Sequence, residues 1–279
     1  MPELPEVEFG RKVAERAALG RRIERVRCDG DRIVFDGVAP RTVARVLRGR
    51  TVEAVRRRGK HIWFELDDEP WPIFHFGMTG AFRVREEFPL ALESSAGALD
   101  PGWPPKFTKI HLWFDDGGEL AMTNARRLGR IRLRREPLSH PPLSDLGFDP
   151  LTDMPRLRDF RARLAARPGS VLKGLLLDQS FAAGVGNWIA DEVLFQAGLD
   201  PRRRVRDLGP DEVKGLHATL GWVIRKAVSV DARKERFPKS WLFHARWGRD
   251  RDAALPDGTR VEHLTVSGRT TAWVPSRQR

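Results

Sequence analysis

Residues 171–201 read VLKGLLLDQSFAAGVGNWIADEVLFQAGLDP. Val171–Asp178 has the character of a helix, Gly184-Val185-Gly186 makes a turn, and Asn187–Gln196 is a second helix. Glycines let a backbone approach an anion closely, and a helix N-terminus offers it unpaired N–H groups. Asn187 can cap the second helix or donate its amide to a phosphate. Asp178 reads as the acceptor that buttresses the turn.

Outward from this segment the C-terminal half stays helical. Arg156–Ala166 is a candidate helix, and Asp211–Val228 places Val213, Leu216, Leu220, Val223, Ile224 and Ala227 on one broad face. Residues 259–274 return to strand alternation about a Ser267-Gly268 turn. The N-terminal half differs. After an amphipathic helix over 5–19, Arg22–Cys28, Thr51–Arg56 and His61–Leu66 alternate apolar and polar residues. Lys109–Phe114 and Glu119–Thr123 flank the hairpin signal Asp116-Gly117-Gly118, and Ile131 and Leu133 close the region. The stretch 85–106 reads as a long surface loop. Pro137–Pro155, with five prolines, reads as a linker. The class is α+β: a β-rich domain over 1–136, a linker over 137–155, a helical domain over 156–246 and a terminal hairpin over 247–279.

The chain has 279 residues, 41% of them hydrophobic, which supports a globular reading. Its net charge of +12 points to polyanions, nucleic acid first and anionic membrane second. Of its 50 basic residues 41 are arginine, whose planar fork suits phosphate. A single cysteine, Cys28, excludes an internal disulfide and any metal site built on two cysteines. No run approaches the ~18 apolar residues of a membrane span, and the acidic start is no secretory signal. The expectation is a soluble, intracellular protein in a reducing compartment, not secreted and with no sign of oligomerisation beyond a monomer.

The first residues are Met1-Pro2-Glu3-Leu4-Pro5-Glu6. A small second residue permits removal of Met1, which exposes Pro2 as a secondary amine. Such an amine attacks an aldehyde-like carbon to give a cationic iminium, an electron sink beside which a carboxylate can shuttle protons. The plainer alternative is a helix start, with prolines in the first turn and glutamates favouring its dipole.

The string MPELPEVE resembles the start of the formamidopyrimidine-DNA glycosylase/endonuclease VIII family of base-excision repair enzymes. Residues 171–201 resemble that family's helix-two-turn-helix, with Lys173, Asp178, Gly186 and Asn187 in register. Arg57-Arg58-Gly59-Lys60 resembles its strand-borne lysine and His75-Phe76-Gly77-Met78-Thr79-Gly80 its methionine loop. Arg126-Arg127-Leu128 resembles its arginine loop and Leu146–Pro150 its interdomain segment. The resemblance spans nearly the whole chain and implies an N-terminal β-sandwich.

It also implies roles. Pro2 would attack C1′ of the damaged nucleotide, Glu3 would shuttle protons for sugar-ring opening, and Glu6 would hold or activate the centre. Lys60 would contact phosphate at the lesion, with His75, Asn187 and Arg269 completing the phosphate clamp, while Lys173 would also contact nucleic acid. For His75 a satisfied core histidine is an equal alternative. Met78 would fill the gap left by a flipped base, and Arg127 would donate to the orphaned opposite base. Core packing is the alternative for Met78. The partner is damaged double-stranded DNA, and the chemistry needs no metal and no nucleotide cofactor. The site of action would be the bacterial cytoplasm at the nucleoid, or a eukaryotic nucleus.

The chain departs from the pattern at three places. It lacks the cysteines of a four-cysteine finger, and its end resembles the zinc-less finger of a subset that includes plant, some animal and some viral members. There Trp273 and strand pairing would shape the hairpin, and Arg269 would take the phosphate position. Leu128 stands where phenylalanine is usual, and Asn124 replaces an acidic residue of the same loop. The segment 229–246 is short for a loop over 8-oxoguanine, which implies weak action on that lesion. Formamidopyrimidines, hydantoins and oxidised pyrimidines are the expected substrates. The rival from another class is a non-catalytic DNA- or RNA-binding protein, which leaves the Pro-Glu start and Lys60 without a purpose.

Overall fold

The computed structural model describes residues 1–85, 102–247 and 253–279, so most of the expected loop over 85–106 lies outside the described residues. The chain forms two compact units, Met1–Asp145 and Leu146–Arg279. The boundary falls inside the stretch expected as a linker, because Leu146–Asp149 is packed. The Gly147 N–H donates to the Gln179 carbonyl at 2.9 Å, and Phe148 pairs with Ala182. Its ring meets those of Phe160 and Phe181. The hairpin expected as a separate finger belongs to the same unit as the helices.

The first unit begins with α1 (Leu4–Ala18), followed by β1 (Ile23–Cys28) and α2 (Pro40–Leu47). Then come β2 (Val52–Arg58), β3 (His61–Leu66), β4 (Trp71–His75), β5 (Ala81–Val84), β6 (Thr108–Phe114), β7 (Glu119–Thr123) and β8 (Arg130–Arg134). They form two antiparallel four-stranded sheets, ordered β1-β6-β7-β5 and β2-β3-β4-β8. One apolar core joins them: Ile23, Leu112, Phe114 and Phe82 from the first sheet meet Val55, Phe64, Phe74 and Ile131 from the second. Val7, Val13 and Ala14 of α1 and Val43 and Leu47 of α2 complete it. Burying each such Phe or Leu contributes about 1.5–3 kcal/mol. Cys28 packs at its margin, where burial pushes its thiol up to about 12.

The second unit holds α3 (Leu157–Ala165), α4 (Leu172–Leu177), α5 (Asn187–Gln196) and α6 (Pro210–Ser229), then β9 (Glu262–Val266) and β10 (Arg269–Trp273). The apolar face expected on α6 is the buried one. The β9–β10 turn is Ser267-Gly268, both at positive φ, the conformation that matches strand twist in a two-residue hairpin. Ala272 and Val274 of this segment share a small core with Phe195, Leu242, Leu255 and Val261.

Candidate active site and nucleic-acid contacts

In the first unit the N-terminus is a capping box. Glu3 is the N-cap of α1, and its N–H donates to Glu6 Oε2 at 2.9 Å. Pro2 and Glu3 are buried, Glu3 to 2% exposure. Burial, then the neighbouring Glu3 charge, pushes the Glu6 carboxyl up to about 8, so at neutral pH it is largely protonated. The terminal amine is held below its ordinary value. Burial lowers it most; Glu3 and Glu6 oppose that, while Lys60 and Arg126 add to it. The amine, two carboxyl groups and two cations therefore form one electrostatic cluster. The amine here is that of Met1. While Met1 is attached, the Pro2 nitrogen is an amide and no nucleophile.

Lys60 is not on a strand, as the resemblance implied, but in the two-residue turn Gly59-Lys60 between β2 and β3. Arg57 fixes that turn. Its side chain is 1% exposed; Nε donates to Glu8 Oε2 at 2.8 Å and Nη1 to the Gly59 carbonyl at 3.0 Å. Glu8 lies one turn along α1 from the amine cluster, so Glu8–Arg57 ties the helix to the lysine turn. His75 ends β4 with its ring 4.8 Å from that of His61. Burial, then the Lys60 charge, holds His75 down at about 4; burial, then His75, holds His61 at about 3. The Gly77 N–H donates to His75 Nδ1 at 3.2 Å. A neutral His75 therefore carries its proton on Nε2, as a donor.

Beyond His75 runs the loop with half-buried Met78, and beyond β7 the loop with Leu128, which is 42% exposed. Arg127, expected to reach an opposite base, is engaged within the protein. Its Nε and Nη2 meet the two Asp31 oxygens at 2.8 and 3.1 Å. Burial would raise the Asp31 carboxyl, but Arg127 and Lys109 outweigh it and hold it well below the usual range. Arg126, named in the loop motif but given no role there, is exposed beside Arg127 and close enough to act on the terminal amine.

In the second unit Lys173 departs from expectation. It is 0% exposed and so unable to reach nucleic acid: its Nζ lies 2.6 Å from Asp191 Oδ1, donates to Thr271 Oγ1 at 2.6 Å and to the Thr270 carbonyl at 3.2 Å. Asp191 also accepts from Arg246 Nη2 at 2.8 Å and the Ala272 N–H at 3.2 Å. Gly186, not Asn187, is the N-cap of α5, and its backbone is extended; the positive φ of the turn falls at Gly184. Asn187 donates Nδ2 to the Thr270 carbonyl at 2.9 Å. Lys173, Asn187 and Asp191 thus fasten the strand that begins at Arg269, which stays exposed beside the hairpin turn. Asp178 buttresses the turn as expected, accepting from the Ser180 N–H at 2.9 Å and Arg167 at 2.7 Å. Among the described residues no group of three or more His, Cys, Asp or Glu side chains could hold a metal ion, and no helix is long and apolar enough to cross a membrane.

Both units match known proteins. A family model for the formamidopyrimidine-DNA glycosylase N-terminal domain matches residues 1–131, and one for the formamidopyrimidine-DNA glycosylase H2TH domain matches residues 146–239. A formamidopyrimidine-DNA glycosylase of Arabidopsis thaliana is 40% identical over 279 residues, covering 100% of this chain and 71% of the relative. One from Geobacter metallireducens is 32% identical over 283 residues, covering 100% of both. The crystal structure of the Lactococcus lactis formamidopyrimidine-DNA glycosylase, non-covalently bound to DNA containing an AP site, has a TM-score of 0.81 at 25% identity and covers 99% of each chain. Fold, site and matches define the class of DNA glycosylases. The chain belongs to the formamidopyrimidine-DNA glycosylase family.

Proposed function

We propose that this protein removes oxidised bases from double-stranded DNA and then cleaves the abasic site, through the secondary amine of Pro2 once Met1 is removed. The observation that carries this reading is the cluster at the terminal amine. The depressed amine is that of Met1, so its support is for the site: burial beside Glu3, Glu6 and Lys60 disfavours a charged amine there, and only the free base attacks carbon. The Pro2 nitrogen bonds to C1′ as the base departs with the glycosidic electron pair and a proton. Ring opening leaves a cationic iminium. Loss of a C2′ proton feeds electrons to that cation and expels the 3′ phosphate; a second elimination expels the 5′ phosphate. Glu3 and the protonated Glu6 are the groups placed to move these protons.

Lys60, the His75 Nε2–H and Arg269 serve as donors to DNA phosphates. Asn187 serves there with the second hydrogen of its amide, the first being bonded to Thr270. Gly186, the N-cap of α5, puts that phosphate at a helix N-terminus, whose N–H groups favour an anion. Met78 and Leu128 are the wedges that fill the stack, with Arg126 in the donor role first given to Arg127. The hairpin works without zinc, its place taken by strand pairing and the buried Lys173–Asp191 ion pair. Formamidopyrimidines, hydantoins and oxidised pyrimidines are the preferred lesions, and 8-oxoguanine a poor one. In the segment 229–246, Phe237, Trp241 and Phe243 pack around Trp188 of α5, and this engagement of its rings with the helix supports the weak action on 8-oxoguanine. The compartment is the one that holds the cell's DNA.

The test is single-turnover nicking of duplexes carrying each lesion or an abasic site. The expected result is release of formamidopyrimidine, slow release of 8-oxoguanine, and loss of abasic nicking in Pro2→Gly. Nicking that survives Pro2→Gly contradicts the assigned nucleophile, and efficient 8-oxoguanine release contradicts the lesion preference.

A further inference from the structure

Asn124 follows β7 and is 0% exposed. Its side chain joins the two loops that carry Met78 and Leu128. Nδ2 donates to the Phe76 carbonyl at 2.8 Å, and Oδ1 accepts from the Gly129 N–H at 3.0 Å. Its backbone is held as well, with the N–H donating to the Phe107 carbonyl at 2.9 Å. Donor and acceptor ends face partners of opposite kind, so the amide orientation is fixed by the bonds themselves. The loops touch through backbone. A Cβ on Gly77, where φ is +63°, would lie 2.4 Å from the Leu128 carbonyl carbon. Cβ atoms on Gly80 and Gly129 would lie 2.6 and 2.5 Å from Asn124 Nδ2. Gly80 and Gly129 thus clear the space in which one neutral amide spans from loop to loop, and Gly77 lets the loop backbones meet.

We infer that Asn124 is a positioning residue that sets the spacing of the Met78 and Leu128 loops, and so the wedge that replaces a flipped base in the stack. The inference rests on the proposed base-removal function. A carboxylate of the same shape keeps the Gly129 bond but opposes the Phe76 carbonyl with a second acceptor, in a place closed to water. Loop spacing matters when a stacked base must be displaced. It does not matter for an abasic site in a single strand, where no base leaves and no opposite base is orphaned.

The experiment compares wild type, Asn124→Asp and Asn124→Ser on two substrates: a formamidopyrimidine in duplex DNA under single turnover, and a preformed abasic site in single-stranded DNA. Duplex base release should fall about tenfold in the aspartate variant, the loss set by one unmade buried hydrogen bond, and should also fall in the serine variant. Single-strand nicking should stay within about twofold of wild type, which also reports that the variants are folded. Unchanged duplex release in both variants, or equal losses on both substrates in the serine variant, overturns the inference. A wild-type chain that nicks neither substrate overturns the proposed function, and this inference with it.

Discussion

At the residue scale, the charge state of Glu6 is the most consequential local feature. Its carboxyl is raised from 4.5 to about 8, by burial first and then by Glu3. A raised carboxyl stabilises the fold through its neutral form. That contribution is complete below about pH 4.5 and is lost as pH rises through about 8. The urea midpoint of the wild type should therefore decline between pH 5 and 9, and Glu6→Gln should flatten that decline. His61 and His75 have the opposite sign. Both are depressed by burial, so their contribution is present above about pH 6.5 and is lost as pH falls through about 4 for His75 and about 3 for His61. His61→Phe should shrink the acid-side loss in the same titration. The acidic start was legible in the sequence because its residues are neighbours in the chain. Lys173 and Arg127 were not, because a residue type does not say whether its charge is already paired. Asp191 is 18 positions from Lys173 and Asp31 is 96 from Arg127, and only folding brings each pair together.

At the scale of elements, the hairpin β9–β10 is fastened from below by Lys173, Asn187 and Asp191. Lys173→Met would strip Asp191 Oδ1 of its cation and leave the buried carboxylate with Arg246 and the Ala272 N–H, both on Oδ2. Removing one partner of a buried pair costs about 3 kcal/mol or more, so the melting temperature should drop and DNA affinity should fall even though Lys173 touches no DNA. A chelator such as EDTA should leave the wild-type melting temperature unchanged; a fall would show that a metal shapes the fold. An element with a long, one-sided apolar pattern was readable, as α6 shows. Two short ones, α2 and β5, were not. In α2 only Val43 and Leu47 are buried, and β5 has four residues with Phe82 alone buried. Such segments are ordered by the sheet or core they meet, and they carry too few residues to show a period of their own.

For the molecule as a whole, the +12 charge names a polyanion but not the contacts. With Lys60 and Arg269 as charged phosphate donors, Arg269→Ala should lower the slope of log affinity against log salt by about 1. His75→Ala should weaken binding and leave the slope unchanged, because His75 is neutral at pH 7. The two-part organisation was visible as a change from period two to helical spacing, while the boundary was not. Prolines suggested a linker over 137–155, yet Phe148 is anchored among Phe160 and Phe181. The most direct measurement of the central proposal is borohydride trapping on abasic duplex DNA, followed by mass mapping of the adduct. The expected result is a covalent complex whose DNA remnant sits on Pro2 of a chain lacking Met1. An adduct on Lys60, or no adduct together with no nicking of abasic DNA, would contradict it.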